Sequence, residues 1–446
     1  MANTITPQIV NEIVNVSAAP EPNALQQSGA LISVGGTTLA TNTWQYCGSA
    51  TAVTALSSNA GNYAELANMA TTYFAQGTGV GVYVLELGEN TDVSAQVSAL
   101  ATWIAANPGV FYAFLTPEDW DGANQVSAVT VTDGGSGYTT APAVTFEAAP
   151  TGGTTATGTA TINTSGVVTG VTITNPGYYP GTSSVTVTFA APTSGTTATG
   201  TVTLGNALNT LAGNNSSNTA KTYLFGTTSA TTYSQYSAYK ALYMVAPAPT
   251  APSTEFTAAA HMAQALGNSP SVANQLAPMS YRFLYGVTAW EQNSTNNPLI
   301  NNLLSAYVNI CLQGAEGGIS DVGIWKGTVM SGTQFSNWYG IDYVKIQADQ
   351  AVAAAIINGS NSQPPLLYDQ PGINTLEGVA QTEGDDAVSY GCAQSVTVSA
   401  VAYQTYVTAN PTDYEDGIYN GLSATVVAQN GFLTVTFTIN VSQFSS

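Results

Sequence analysis

GVGVYVLELGENTDVSAQVSALATWIAANPGVFYAFLTP, residues 79–117, decides the fold class. Its first ten residues (79–88) form a short apolar run bounded by glycines, which predicts a buried strand. TDVSAQVSALATWIAAN (91–107) then places apolar residues at helical spacing behind Thr91 as N-cap. VFYAFLTP (110–117) is apolar and short again, a second strand. Short apolar strands joined by a helix of ten to fifteen residues predict an α/β unit with a mostly parallel sheet.

The same alternation resumes downstream, with KTYLFGTTS (221–229) and ALYMVAP (241–247) as strands. A Tyr-rich helix is expected at 231–240 and another at 253–266, capped by Ser253. The expectation is one discontinuous middle α/β domain made of residues 26–123 and 207–289.

Between those halves, residues 124–206 have their own period. VTVTDGGSGYTTAPAVTFEAAPTGGTTATGTATI (129–162) recurs as VTITNPGYYPGTSSVTVTFAAPTSGTTATGTVTL (171–204), an offset of 42 residues. Two copies of strand, Gly-Tyr turn, strand, Gly-Thr turn and strand predict a small inserted all-β module. Two repeats are too few for an open solenoid, so a closed, sandwich-like insertion is expected as an outward decoration. Its GGSGY turn lacks the aspartates of a calcium-binding repeat, and no metal site is expected.

A C-terminal domain is expected over 290–425. NNPLINNLLSAYVNICLQG (296–314) reads as one long amphipathic helix and NWYGIDYVKIQADQAVAAAIING (337–359) as another. Further helix is expected near 375–392, followed by strand at SVTVSAVAYQTYV (395–407).

Charge narrows the function. The 446 residues carry 25 acidic and 5 basic side chains, a formal net charge of −20. All five cations (Lys221, Lys240, Arg282, Lys326, Lys345) lie between residues 207 and 345, so the first 206 and the last 101 residues hold none. Phosphate backbones repel such a chain, which argues against nucleic-acid binding and against anionic membrane surfaces. No apolar run approaches the roughly 20 residues that cross a bilayer, and MANTITPQIVNEIV lacks the basic and apolar regions of a signal peptide. Cys47, Cys311 and Cys392 are scattered without metal-ligand spacing and are expected to be small buried hydrophobes.

Catalytic candidates are few. His261, the single histidine, sits in the helical TAAAHMAQAL stretch, and any Ser-His or Cys-His mechanism would need it. Glu118/Asp119, Asp385/Asp386 and Glu415/Asp416 are acidic pairs of the sort a glycosidase uses, though adjacent carboxylates more often cap or solvate turns. No P-loop or dinucleotide fingerprint occurs, so no enzyme activity and no cofactor are expected.

Both chain ends read as strands. GFLTVTFTINVSQFSS alternates, with Leu433, Val435, Phe437, Ile439 and Val441 on one face and Thr434, Thr436, Thr438, Asn440 and Ser442 on the other. It has no charge and no proline to block pairing with another chain. Ile9, Val10, Ile13, Val14 and Val16 form a second β-branched stretch, stopped by Pro20 and Pro22. Residues 1–25 and 426–446 are therefore expected as arms. Pairing within the subunit and strand addition across subunits are both open at this point.

In the order of its elements the chain resembles the contractile tail sheath family of phages and related injection machines. NAGNYAELANMATTYFAQGTGVGVYVLELG (59–88) is similar to the family's helix and following strand, with Tyr73-Phe74 ahead of the turn. DVGIWKGTVMSG (321–332), followed by the 337–359 helix, resembles a strand, link and helix of its C-terminal domain. PPLLYDQPGINTLEGVAQTEGDDAVSYG (364–391) and DYEDGIYNGLSATVVAQNGFLTVTFTINV (413–441) resemble the elements that follow. The resemblance covers about 45–123 and 290–446 and lies in order, since none of these motifs is a signature alone. It implies an α/β and α+β sheath core, polymerising as a helical stack of rings around a tail tube protein, with baseplate and tail terminator proteins as further partners. It also implies a virion tail component, assembled in the host cytoplasm, whose arms add strands to neighbours and whose contraction drives the tube through the host envelope for genome delivery. The family commonly carries basic residues in its C-terminal domain, and this chain has none after Lys345. The rival reading is a secreted or surface-array adhesin, which the acidic Thr/Gly/Ala-rich repeats also suit. The absence of signal-peptide character and the α/β pattern count against it.

Overall fold

The structure is a computed structural model that describes residues 25–90, 92–121, 124–151, 153–179, 182, 184–314 and 321–433. Its centre is a six-stranded sheet of β1 (Gly29–Ser33), β2 (Trp44–Cys47), β3 (Val82–Glu86), β4 (Ala113–Leu115), β11 (Tyr223–Thr227) and β12 (Leu242–Val245). The strand order is β12-β11-β4-β1-β3-β2, parallel throughout except for β2, which runs antiparallel at one edge. Helices α1 (Ala50–Thr54), α2 (Tyr63–Phe74), α3 (Val93–Ala106), α4 (Ala207–Asn214) and α5 (Thr257–Leu266) connect or cover these strands.

Both sheet faces are buried, and all five residues of β1 lie inside, Ala30, Leu31 and Ile32 among them. Leu31 faces α2 and α5 with Leu66, Met69, Met262 and Leu266, while Ala30 and Ile32 face α3 and α4 with Leu100, Trp103 and Leu211. Asp92, one residue past the expected Thr91, caps α3 by accepting from Ser94 and Ala95 N–H.

Residues 124–206 hold β5 (Asn124–Asp133), β6 (Val144–Phe146), β7 (Thr157–Ile162), β8 (Val168–Asn175), β9 (Val187–Phe189) and β10 (Thr199–Asn206). β5 pairs with β10, β6 with β9 and β7 with β8, all antiparallel. Every pair joins the first sequence copy to the second. Adding 42 to the first-copy residue and subtracting 42 from its partner maps Val131/Gly200 onto Ile173/Gly158, and Phe146/Val187 likewise onto Thr188/Thr145. Two tyrosines 41 apart play matching parts: the Tyr138 hydroxyl accepts from Ala198 N–H and the Tyr179 hydroxyl from Ala156 N–H, both at 2.9 Å, and these two alanines are 42 apart. Gly135 and Gly177, 42 apart, both take left-handed φ (62° and 69°), and a Cβ on either would meet backbone of the other copy at 2.3 and 2.6 Å.

Beyond the sheet come α6 (Asn296–Ser305), β13 (Ile310–Gln313) and β14 (Val322–Trp325), then α7 (Phe335–Ser360), α8 (Gln370–Ser389), β15 (Ala393–Ala400), α9 (Tyr403–Ala409), α10 (Pro411–Glu415) and β16 (Leu422–Ala428). Trp290, Leu303, Ile310 and Leu312 join the core on the α3 side of the sheet, so hydrophobic contact runs continuously past residue 290. A separate core forms where Tyr343 and Val344 of α7 and Ala380 and Ala387 of α8 meet Cys392, Val396 and Val398. Gly340 lets α7 pass the chain after α8 closely, since a Cβ there would lie 2.0 Å from the Cys392 carbonyl oxygen.

Several expected elements differ. Residues 296–314 are not one helix: α6 stops at Ser305, Tyr307 turns at φ 62°, and β13 follows. Asn309 enforces the break, donating to the Met244 and Thr328 carbonyls and accepting from Thr328 N–H, all buried. The Tyr-rich segment 231–240 holds only a 3-10 turn at Tyr233–Gln235, because Thr228, Thr232 and Tyr236 hydroxyls converge on Asp121. The 253–266 helix starts at Thr257 without Ser253 as its cap, the Phe256 N–H being taken by Thr72 Oγ1. The strand expected over 395–407 ends at Ala400 and gives way to α9, whose Tyr403 N–H is accepted by Gln370. The helix expected near 375–392 spans 370–389, capped by Asp369.

Candidate assembly interface

β15 and β16 form a two-stranded antiparallel sheet. One face is apolar, with Val396 and Val398 buried on α8, and the other carries Thr397, Ser399, Ser423, Thr425 and Val427 exposed. A two-stranded sheet is marginal alone and takes its stability from such helix packing, where a fully buried valine contributes roughly 1.5–3 kcal/mol.

The two edges of this sheet differ. Val396, Val398 and Ala400 turn their backbone groups away from β16, and α8 side chains meet them. Gln381 Nε2 donates to the Val396 carbonyl at 3.2 Å, Gln381 Oε1 accepts from Val398 N–H at 2.8 Å, and Glu377 Oε1 accepts from Ala400 N–H at 3.2 Å. These two side chains imitate a neighbouring strand and close the β15 edge. Because pairing alternates, Leu422, Ala424 and Val426, opposite those residues, direct their backbone groups to the outer edge of β16. Among the described residues no donor or acceptor meets Ala424 or Val426 there. An unpaired row of this kind templates strand addition.

After β16 the chain runs along the start of α7. Gln334, buried, holds Gly431 by both backbone groups: Nε2 donates to its carbonyl at 2.9 Å and Oε1 accepts its N–H at 3.1 Å. Asn337 donates to the Asn430 side chain and Tyr281 Oη to the Leu433 carbonyl. Leu433 is thus placed at the exit of the chain, beside Phe432, which is 84% exposed. Of the residues expected to add strands, Ile9, Val10, Ile13, Val14, Val16, Val435, Phe437, Ile439 and Val441 lie outside the described residues.

The cations are committed inside the fold. Lys240 Nζ donates to the Ser217 and Ala220 carbonyls, Lys326 to Leu304 and Lys345 to Asn218. Arg282 donates to the carbonyls of Gln264, Ala277 and Pro278 and to Asn268 Oδ1. Lys221 sits 3.4 Å from Asp349.

The catalytic candidates fall on separate elements, with Glu415 ending α10 and Asp416 as its C-cap. His261 is fully buried, its Nδ1 paired with Tyr243 Oη at 2.9 Å and its Nε2 with Cys311 Sγ at 3.4 Å. Burial pulls its pKa down to about 3 and pushes the Cys311 thiol well up, which favours the neutral imidazole and the neutral thiol in this closed site. Asp385 and Asp386 lie within α8 and not at a turn. Glu118 and Asp119 form a 3-10 turn whose Glu118 N–H donates to Glu65 at 2.7 Å. Among the described residues no group of three or more His, Cys, Asp or Glu side chains is placed to hold a metal ion, and no helix is long and apolar enough to cross a membrane.

Burial raises Glu65 from 4.5 to about 7, aided by the charges of Asp119 and Glu118 and opposed by its hydrogen bonds from Glu118 N–H and Asn62. Burial favours protonated over ionised Glu65, so this penalty is absent below about 4.5 and grows as pH rises from there through about 7. Glu65→Gln is expected to raise the melting temperature at pH 8, by roughly 2–4 °C per kcal/mol recovered, and to leave it unchanged at pH 4. Calorimetry at the two pH values checks this, and an equal shift at both would be the contrary result.

No protein-family model matches the chain, and no curated protein matches it. Among solved structures it is similar to the crystal structure of a sheath tail protein from Listeria innocua, with a TM-score of 0.41 and 11% sequence identity over 90% of this chain and 94% of that one.

Proposed function

We propose that the chain is a structural subunit that polymerises with copies of itself as the sheath of a contractile tail, interlocking by strand addition. The observation that carries the reading is the unequal edges of the β15/β16 sheet. One edge is closed by Gln381 and Glu377, the other has no partner among the described residues, and the C-terminal sequence is uncharged and alternates apolar with polar residues. Main-chain pairing suits a lattice whose subunits slide and rotate, because ladder bonds are numerous and carry little side-chain specificity. The internal use of all five cations fits contacts made by backbone pairing and apolar burial more than by ion pairs.

In this reading the partners are copies of the chain in a helical stack of rings, the tail tube, and the baseplate and terminator at its ends. The tube contact in this reading lies on helices 337–358 and 375–390, made by hydrogen bonds and apolar contacts. The first half of α7 is buried from Phe335 to Ile346 apart from scattered positions, which leaves its second half, with Ile356 and Ile357 exposed, as the part available to a tube. Contraction is a switch between two packings of rigid domains joined by pliable arms, with no nucleotide consumed.

Negative-stain microscopy of the purified chain tests the reading: rings, tubes or helical arrays are expected, and a chain that stays monomeric at high concentration overturns it. The closed edge gives a second expectation. Gln381→Ala exposes the β15 backbone and is expected to lower the protein concentration at which assembly begins by about tenfold, the equivalent of one or two net hydrogen bonds. Light scattering against concentration reads the threshold, and an unchanged or raised threshold would show that Gln381 does not guard that edge.

A further inference from the structure

The segment after β16 encodes a competing structure. A four-residue loop over Gln429–Phe432, containing Asn-Gly, is a common hairpin connection. Such a loop would pair Ala428 with Leu433, Val426 with Val435, Ala424 with Phe437 and Leu422 with Ile439. Of these, Leu422, Ala424 and Val426 are the β16 residues whose backbone groups face the open edge. Opposed residues of an antiparallel pair share a face. The fold-back would therefore set Leu433, Val435, Phe437 and Ile439 on the same side as Val396 and Val398, above α8. Register, hydrogen-bond phase and hydrophobic phase all agree with a subunit that caps its own edge.

The described chain does not take this course. No hydrogen bond joins Ala428 to Leu433, and no turn forms at Asn430-Gly431. The middle of the would-be loop is held elsewhere: Gln334 grips both backbone groups of Gly431, Asn337 holds Asn430, and Tyr281 holds the Leu433 carbonyl. Gln334 is 6% exposed and sits at the N-terminal boundary of α7, so its grip is anchored in the folded body.

We infer that Gln334 is an exit guide which keeps the C-terminal segment from closing its own β16 edge and so presents it to the β16 edge of a second copy of the chain. This rests on the strand-addition reading above. The choice between self-capping and exchange is the one that governs domain swapping, where the same strand pairing forms within or between chains. A single side chain can set it because both outcomes bury the same residues in the same register, and the difference lies in the path of residues 429–433.

The experiment is hydrogen exchange on the dilute, unassembled full-length chain, comparing wild type with Gln334→Ala. In the variant the released loop folds back, and the amides of Ala424 and Val426 are expected to become about tenfold more protected. The same variant should need about tenfold more protein to assemble. Loss of a merely stabilising contact would move protection the other way, so the direction of change discriminates. Gln334→Ala cut after Leu433 should lose the gain, since no strand remains to fold back. Tyr281→Phe, which removes only the outer tether, should shift protection in the same direction by less, and serves if Gln334→Ala misfolds. Unchanged or reduced protection at Ala424 and Val426 overturns the inference. If wild type never assembles, the sheath reading fails, while the exchange result still decides whether Gln334 guides the exit.

Discussion

A chain ending at Leu433 is expected to remain a soluble monomer where the full-length chain forms rings or tubes. The cut leaves the anchors at Asn430, Gly431 and Leu433 in place and removes Val435, Phe437, Ile439 and Val441. Each lost ladder bond accounts for about 0.5–1.5 kcal/mol net and each buried apolar side chain for roughly 1.5–3 kcal/mol. Even a few of each raise the assembly threshold by three orders of magnitude or more. The full-length assembly should also tolerate salt, because the segment from Phe432 to Ser446 has no charge to be screened. Sedimentation and negative stain at low and high salt give the answer. Tubes of unchanged form from the shortened chain would show that the C-terminal segment is not the connector.

Replacing Asp342 with alanine is expected to cost about 3–5 kcal/mol of stability, the range for breaking a buried charged network. Asp342, on α7, is fully buried and accepts from Tyr223 Oη at 2.8 Å and Tyr112 Oη at 3.2 Å, with Lys345 at 3.6 Å. Tyr223 belongs to β11 and Tyr112 directly precedes β4, so this one carboxylate ties the long helix to the central sheet. Alanine would strand two buried hydroxyls and leave a cavity. Burial raises the Asp342 pKa, with Lys240 and the tyrosine hydroxyls opposing, so its ionised form is under strain at neutral pH. Asp342→Asn keeps the acceptor and the shape and sheds that strain, and should cost less than half as much as alanine. Denaturant unfolding of the two variants at pH 7 provides the comparison, and equal losses would mean that charge, not hydroxyl pairing, holds the helix.

The parallel sheet was readable because its two-sided burial writes itself as unbroken apolar runs such as VYVLE and YLFGT. α3 was readable from its spacing. The failures came where a tertiary polar contact overrode a local pattern. LINNLLSAYVNICL has helical periodicity, yet Asn309 finds three buried backbone partners in β12 and near β14 that no local rule anticipates. Asp121 likewise gathers hydroxyls from a segment more than a hundred residues away and unwinds an expected helix. At the interface, alternation marked Leu433 and its neighbours as strand, but gave no sign of which sheet edge is open. Glu377 and Gln381 stand one helical turn apart ahead of SVTVSA, a spacing compatible with edge capping, but only their contacts reveal it. Gln334 had no local signal, since its partner lies 97 residues downstream.

The crossed pairing of the two repeats sets a rule for altering the chain. Neither copy can be removed alone, because each would leave three strands without mates. The whole insert is different: its first and last strand residues, Asn124 and Asn206, are ladder partners, and neighbouring strands lie only about 4.8 Å apart. A bridge of two or three residues therefore spans the stump, making this position a natural graft point where a foreign domain with adjacent termini can be displayed without disturbing the sheet beneath.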